Sequence, residues 1–104
     1  MTLYTTLSLF RARPGRSPEL ARRLDRLAMA SRAEPGCRTY DVHRSNEDAQ
    51  LWLIYEQWES AEAAAAHLAG SHVGDFIDAV AALIEGDVGI SSFGGAFAPD
   101  LVAA

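Results

Sequence analysis

Residues 34–72 read EPGCRTYDVHRSNEDAQLWLIYEQWESAEAAAAHLAGSH. Pro35-Gly36 breaks the chain, Cys37 to Arg44 reads as a strand, Ser45-Asn46-Glu47-Asp48 as a turn, and Leu51 to Trp58 as a second strand. The centre of the chain is therefore a β-hairpin. Leu51, Trp52, Leu53, Ile54 and Tyr55 are apolar in succession, whereas a strand with one wet face alternates. Both faces of this strand are expected to be covered. A small sheet with helices on one side leaves its other face open, and the expected cover is a second copy of the chain. By parity Trp52, Ile54, Glu56 and Trp58 share one face, with Leu51, Leu53, Tyr55 and Gln57 on the other. On the neighbouring strand Thr39, Asp41 and His43 lie opposite Arg38, Tyr40 and Val42.

Upstream, residues 2–11 alternate, with Thr2, Tyr4, Thr6 and Ser8 on one side and Leu3, Leu7 and Leu9 on the other, which predicts a strand. Arg13-Pro14-Gly15-Arg16 breaks it. Ser17-Pro18-Glu19 is a helix start, with a hydroxyl to cap, a proline where no amide bond is lost and an acid near the positive dipole end. Leu20, Leu24, Leu27 and Ser31 form one stripe, and Pro35-Gly36 ends the helix through a left-handed cap. Downstream, Ser60 caps an alanine-rich helix that stops at Gly70, and Ser71 caps its restart. Val73, Phe76, Ile77, Val80, Leu83 and Ile84 give that segment an apolar face running to Glu85. Gly86-Asp87 turns into a last strand near Val88 to Phe97, and the tail after it is either free or packed on a partner. Strand, helix, strand, strand, interrupted helix, strand is the order of an α+β ferredoxin-like split βαβ fold with a four-stranded antiparallel sheet. One domain over residues 1–104 is expected.

Of 104 residues 49% are hydrophobic, enough for a core and against disorder. No apolar run approaches membrane length, and Arg11 interrupts the apolar start, so a cytoplasmic protein without membrane partners is expected. The single Cys37 excludes an internal disulfide. Together with histidines scattered at 43, 67 and 72 it makes a poor zinc set, and no metal is expected. The net charge of −5 hides an asymmetry: nine arginines lie between Arg11 and Arg44 against Glu19, Asp25, Glu34 and Asp41, and ten acids with no base follow Ser45. Arg22, Arg23, Arg26 and Arg32 read as a solvated helix face without interleaved aromatics, which argues against nucleic acid. The two halves of the chain are suited to attract each other.

A pocket between sheet and helices could hold Trp58, His43 and His67, where an indole and imidazoles suit a flat aromatic guest. Each residue has a plainer reading. Trp58 also fits a core aromatic, His43 an exposed strand histidine, His67 a cation at a helix C-terminus and His72 a solvated ring after a cap. Glu56 is either a buried base or, more simply, a partner for Arg38 or Arg44. No phosphate loop, nucleophile elbow, metal-spaced His-Glu cluster or dinucleotide fingerprint is present in the sequence.

Glu34-Pro35-Gly36-Cys37 leading to Tyr40, then Leu53-Ile54-Tyr55-Glu56-Gln57-Trp58-Glu59-Ser60, then Ala66-His67-Leu68-Ala69-Gly70-Ser71-His72 before Phe76 resemble, in that order, the antibiotic biosynthesis monooxygenase domain family. The resemblance spans nearly the whole chain. It implies a dimeric α+β barrel, that is, a homodimer of ferredoxin-like protomers with a pocket between sheet and helices. It also implies oxidation of a small aromatic, quinol or polyketide-like substrate by molecular oxygen without metal or flavin. By the same resemblance His67 and His43 are the catalytic candidates, and Trp58, Tyr40, Ile54 and His72 the substrate-binding ones. In polyketide-oxidising members an asparagine stands at the position of Ile54 and a tyrosine at that of Ala64, whereas quinol-oxidising and signal-degrading relatives often carry the histidines seen here as His67 and His72. The likeness therefore leans to the quinol monooxygenase-like branch. The haem-degrading branch fits poorly, because its iron-binding histidine corresponds to Ile77 and its helix tryptophan to His67. Sequestration of a ligand without turnover, or isomerisation or degradation of a small signal molecule, are the alternatives. A phosphorylated signal would need an arginine such as Arg38 or Arg44 in the pocket.

Overall fold

In a computed structural model, which describes residues 3–95, the central hairpin is β2 (Cys37–Arg44) and β3 (Leu51–Trp58). Around it run β1 (Tyr4–Ala12), α1 (Ser17–Arg32), α2 (Ala61–Leu68), α3 (Ser71–Val80) and β4 (Ile84–Gly94). The strands form one antiparallel sheet in the order β2-β3-β1-β4, the ferredoxin-like α+β fold expected from the sequence. The described residues include no helix long and apolar enough to cross a membrane.

Strand β3 alternates strictly in burial although its sequence does not alternate in polarity: Trp52, Ile54, Glu56 and Trp58 are buried, and the residues between them are half-buried. The buried set faces the helices, where Leu20, Leu24 and Leu27 of α1 and Val73, Phe76 and Val80 of α3 complete the core with Phe10 of β1. Phe10 and Phe76 meet edge to face with ring centroids 5.7 Å apart. Fully burying a leucine such as Leu20 or Leu24 contributes about 1.5–3 kcal/mol.

Among the described residues no helix covers the other sheet face. Leu9 pairs with Leu53 and Leu7 with Tyr55 across β1 and β3, and His43 pairs with Leu53 across β2 and β3, so all five side chains share it. It is Ser8, Phe10 and Ala12 that turn inward from β1. The leucine side of β1 is thus the open side, and Leu9 remains 46% exposed.

Several local expectations are corrected. The α1 cap is Arg16, not Ser17; the Ser17 hydroxyl donates to the Ala49 carbonyl at 3.0 Å and accepts from Trp52 Nε1 at 3.2 Å, a tertiary bond that outcompetes capping. Helix α1 ends at Arg32 with Ala33 as its right-handed C-cap, and Gly36 takes its positive φ of +83° only in the turn into β2. Gly70, not Ser71, caps α3. Ser60 does cap α2, accepting from the Ala63 amide at 3.1 Å. Leu83 and Ile84 leave the helix, and β4 begins at Ile84, because Ile84 pairs with Ala12 while Gly86, at φ +69°, lies in the register shift that follows. Thr2, the strand end at Phe97 and the tail beyond it lie outside the described residues.

The charge asymmetry is used within the fold. Arg11 pairs with Asp48, and Arg38 Nη1 with Glu59 Oε1 at 3.1 Å, each joining the basic half to the acidic half. These exposed pairs fix the ends of the hairpin more than they stabilise the chain.

Candidate active site

Helix α2 is short because its alanines give way to Leu68-Ala69-Gly70, and this break delivers His67, in the last turn, to the sheet. Only 3% of the His67 side chain is exposed. Trp58 packs on it with ring centroids 4.6 Å apart and a 32° tilt, and Tyr40 meets it edge-on at 5.5 Å. A ring held this way cannot turn freely, so its two nitrogens have fixed neighbours.

Nδ1 of His67 lies 2.6 Å from Glu34 Oε2. Nε2 lies 3.7 Å from Glu56 Oε1. Glu56 in turn accepts a 2.7 Å hydrogen bond from Trp58 Nε1. Burial pushes the Glu56 carboxyl above the usual carboxylate range, and Glu34 adds to the effect, while the Trp58 bond and His67 oppose it. Tyr40 is held strongly un-ionised, first by burial and then by the Glu56 charge.

Glu34 reaches His67 because the turn after α1 folds tightly. A Cβ on Gly36 would stand 2.7 Å from Ala63 Cβ, so glycine is required both for the backbone angle and for the approach of α2. The Glu59 amide closes the turn with a 2.8 Å bond to the Gly36 carbonyl.

His67 and Glu56, the neighbour of Nε2, line a cavity of about 370 Å³, whereas Glu34, the neighbour of Nδ1, does not. Ser8, Tyr40, Ile54, Glu56 and His67 form its floor, and Phe76, Val80 and Ile90 are among the apolar side chains of its walls. Leu68 and Ile77, each more than half exposed, stand at its rim. Among the described residues no arginine lines it.

The sequence candidates thus divide. Tyr40, Ile54 and His67 line the cavity. Trp58 is fully buried and is not part of the wall; it backs His67 and bonds Glu56. His72 lies on the far side of Glu34, its Nε2 3.4 Å from Glu34 Oε1, outside the cavity lining. His43 projects to the opposite face of the sheet, exposed, and the fold does not bring it to His67 or Trp58. Its odd register position in β2, set against Tyr40 and Val42, dictates this.

Two carboxylates of the site do not stand out in the sequence. Glu56 meets neither of its expected partners, since Arg38 pairs with Glu59, and Arg44 bonds the Ala49 carbonyl at 2.7 Å and covers the Trp52 ring. Its even position, on the Trp58 side of an otherwise apolar strand, was the available signal. Glu34 read only as part of a turn, and nothing local distinguishes it from a solvated acid.

The Antibiotic biosynthesis monooxygenase family model matches residues 4–79. Among solved structures, one from Pseudomonas aeruginosa is 33% identical, with a TM-score of 0.83 over 89% of this chain and 93% of that one. A candidate antibiotic biosynthesis monooxygenase from Deinococcus radiodurans is 27% identical, with a TM-score of 0.87 over 94% and 97% of the two chains. Another candidate from Nitrosomonas europaea shares the fold at 22% identity, with a TM-score of 0.87 over 91% of each chain. A search of curated protein sequences returns no match. With the family model matched from β1 almost to the end of α3, and a fold that superposes on these solved structures over nearly its full length, the chain belongs to the antibiotic biosynthesis monooxygenase family.

Proposed function

We propose that this protein is a cofactor-independent monooxygenase acting on a small, flat, largely apolar phenol or quinol, with His67 as the base. The observation that carries the reading is the two-sided environment of His67. Glu34 at Nδ1 favours the tautomer with its proton there, which leaves the Nε2 lone pair directed to the cavity side. A hydroxyl placed at Nε2 gives up its proton and becomes an electron-rich phenolate. In a phenol the ring carbon para to that oxygen then takes one atom of molecular oxygen and becomes a carbonyl; in a quinol, whose para carbon already bears an oxygen, the ring C–H beside a hydroxyl takes it and the product is a hydroxyquinone. In either case the other atom leaves as water with two substrate hydrogens. The substrate supplies all four electrons, so the protein's tasks are to bind, orient and move a proton.

The apolar walls, with Ile54 in the floor, favour a quinol over a heavily hydroxylated polyketide. Degradation of a phosphorylated signal is not favoured, because Glu56 and Asp87 line the cavity while Arg38 and Arg44 are engaged elsewhere. The Leu9, Leu53 and Tyr55 face supports a homodimer with that face buried.

The direct test is oxygen consumption with a panel of naphthols and anthrones. The expected result is turnover of at least one compound that falls about 10²-fold or more in His67→Ala. Equal, background-level rates for both proteins on every compound overturn the reading. Tight binding of those compounds without turnover points instead to a ligand-sequestering dimer.

A further inference from the structure

The break between α2 and α3 does more than place His67. It also folds His72, five residues on, back over the same carboxylate, so that the two rings lie 5.7 Å apart with Glu34 against both. The glycine of the break permits this, since a Cβ on Gly70 would sit 3.3 Å from His72 Cε1. One donor atom from each of Glu34, His67 and His72 falls within 4.8 Å of the other two. We infer that Glu34, His67 and His72 form a binding site for a divalent transition-metal ion, on the side of His67 turned away from the cavity.

Three observations carry this. The donor set, two imidazoles and a carboxylate, suits zinc, cobalt or nickel better than calcium or magnesium, which prefer oxygen alone. Ligand atoms on one tetrahedral zinc stand about 3.4 Å apart. His72 Nε2 and Glu34 Oε1 are already 3.4 Å apart, while His67 Nδ1 lies 2.6 Å from the other oxygen, Oε2, and has to part from it by about 0.8 Å, so each imidazole faces its own oxygen of the carboxylate. Second, His72 Nε2 is sealed from solvent and has no hydrogen-bond partner among the described residues, its contact with Glu34 missing the geometry of one. A buried nitrogen without a partner is costly, and a metal ion would satisfy it. Third, a carboxylate stands beyond the other nitrogen of His67, Glu56 at 3.7 Å and itself held by Trp58, within a small shift of the hydrogen bond that orients a metal-bound imidazole. Among the described residues neither Glu34 nor Glu56 is paired with an arginine, so a cation would also balance the charge of the cluster.

An ion on Nδ1 moves the ring proton to Nε2, toward Glu56, and removes the lone pair from the cavity side. Metal binding and the base role of His67 are therefore mutually exclusive, a consequence that rests on the function proposed above, whereas the site itself does not.

Zinc chloride titrated by calorimetry into the full chain, freed of metal by chelation, tests the site. One ion per chain is expected, with Kd below about 100 µM. Binding should weaken at least about tenfold in His72→Ala and Glu34→Gln and stay within about twofold in His43→Ala, which removes the remaining histidine. Cobalt in place of zinc should give visible absorption bands that His72→Ala abolishes. If His72→Ala fails to fold by circular dichroism, Glu34→Gln decides alone. No saturable wild-type binding below about 1 mM, or an equal loss in His43→Ala, overturns the site. Zinc binding that leaves oxygen uptake undiminished upholds the site and removes His67 as the base.

Discussion

Glu34 Oε2 and His67 Nδ1 lie 2.6 Å apart although 33 residues separate them in the chain. A carboxylate at that distance favours the tautomer with its proton on Nδ1, and the role proposed for His67 rests on this pair.

Replacing Glu34 with Gln keeps the shape but allows the amide to donate to Nδ1, which puts the ring proton on Nε2. In metal-free protein kcat should fall roughly tenfold to a thousandfold while KM changes by no more than about twofold. Oxygen uptake against substrate concentration measures both. A loss confined to KM would mean that Glu34 shapes binding and does not position the base.

Glu56 sets a pH dependence of stability. Its folded pKa is raised, so between the ordinary carboxylate value and that raised value the folded chain holds more protons than the unfolded one. Stability therefore falls as pH climbs through that window, and the penalty persists at neutral pH. Glu56→Gln, which keeps an oxygen for Trp58 Nε1, should melt higher than wild type at pH 7 and match it near pH 4. Thermal melts in chelator across that range check this, and a lower Tm for the variant at pH 7 would count against it.

Gly36→Ala should destabilise the chain by about 2 kcal/mol or more, because it forces a side chain into a left-handed backbone and into Ala63. For a domain of this size the drop in Tm is of order 10 °C. Activity should fall with it even where the fold survives, since Glu34 rides on the same turn.

The open sheet face predicts a dimer of 2 × 11.2 = 22.4 kDa. Leu53→Asp puts a charge at the centre of that face, beside Leu9, and should weaken association by about 3 kcal/mol or more. Sedimentation at micromolar concentration distinguishes the two masses. A wild-type mass near 11.2 kDa would remove the dimer.

The sequence by itself determined the element order, the hairpin and the partition of β3 into two faces, because these depend on periodicity and turn chemistry within a few residues. Parity also set Ile54 apart from Leu53 and Tyr40 apart from His43, but it left open which face meets the helices, and the pocket read from the residues still grouped His43 with Trp58 and His67. Only the tertiary structure decided that Trp58 backs the site without lining it. It also showed that Glu56 leaves its expected arginines for an indole and an imidazole, and that Glu34 and His72 converge on His67. These contacts depend on how closely α2 approaches the turn before β2, which the fit of Gly36 against Ala63 sets, and on the direction of the chain after Gly70. No local pattern encodes either, since each is a distance between segments that only packing brings together.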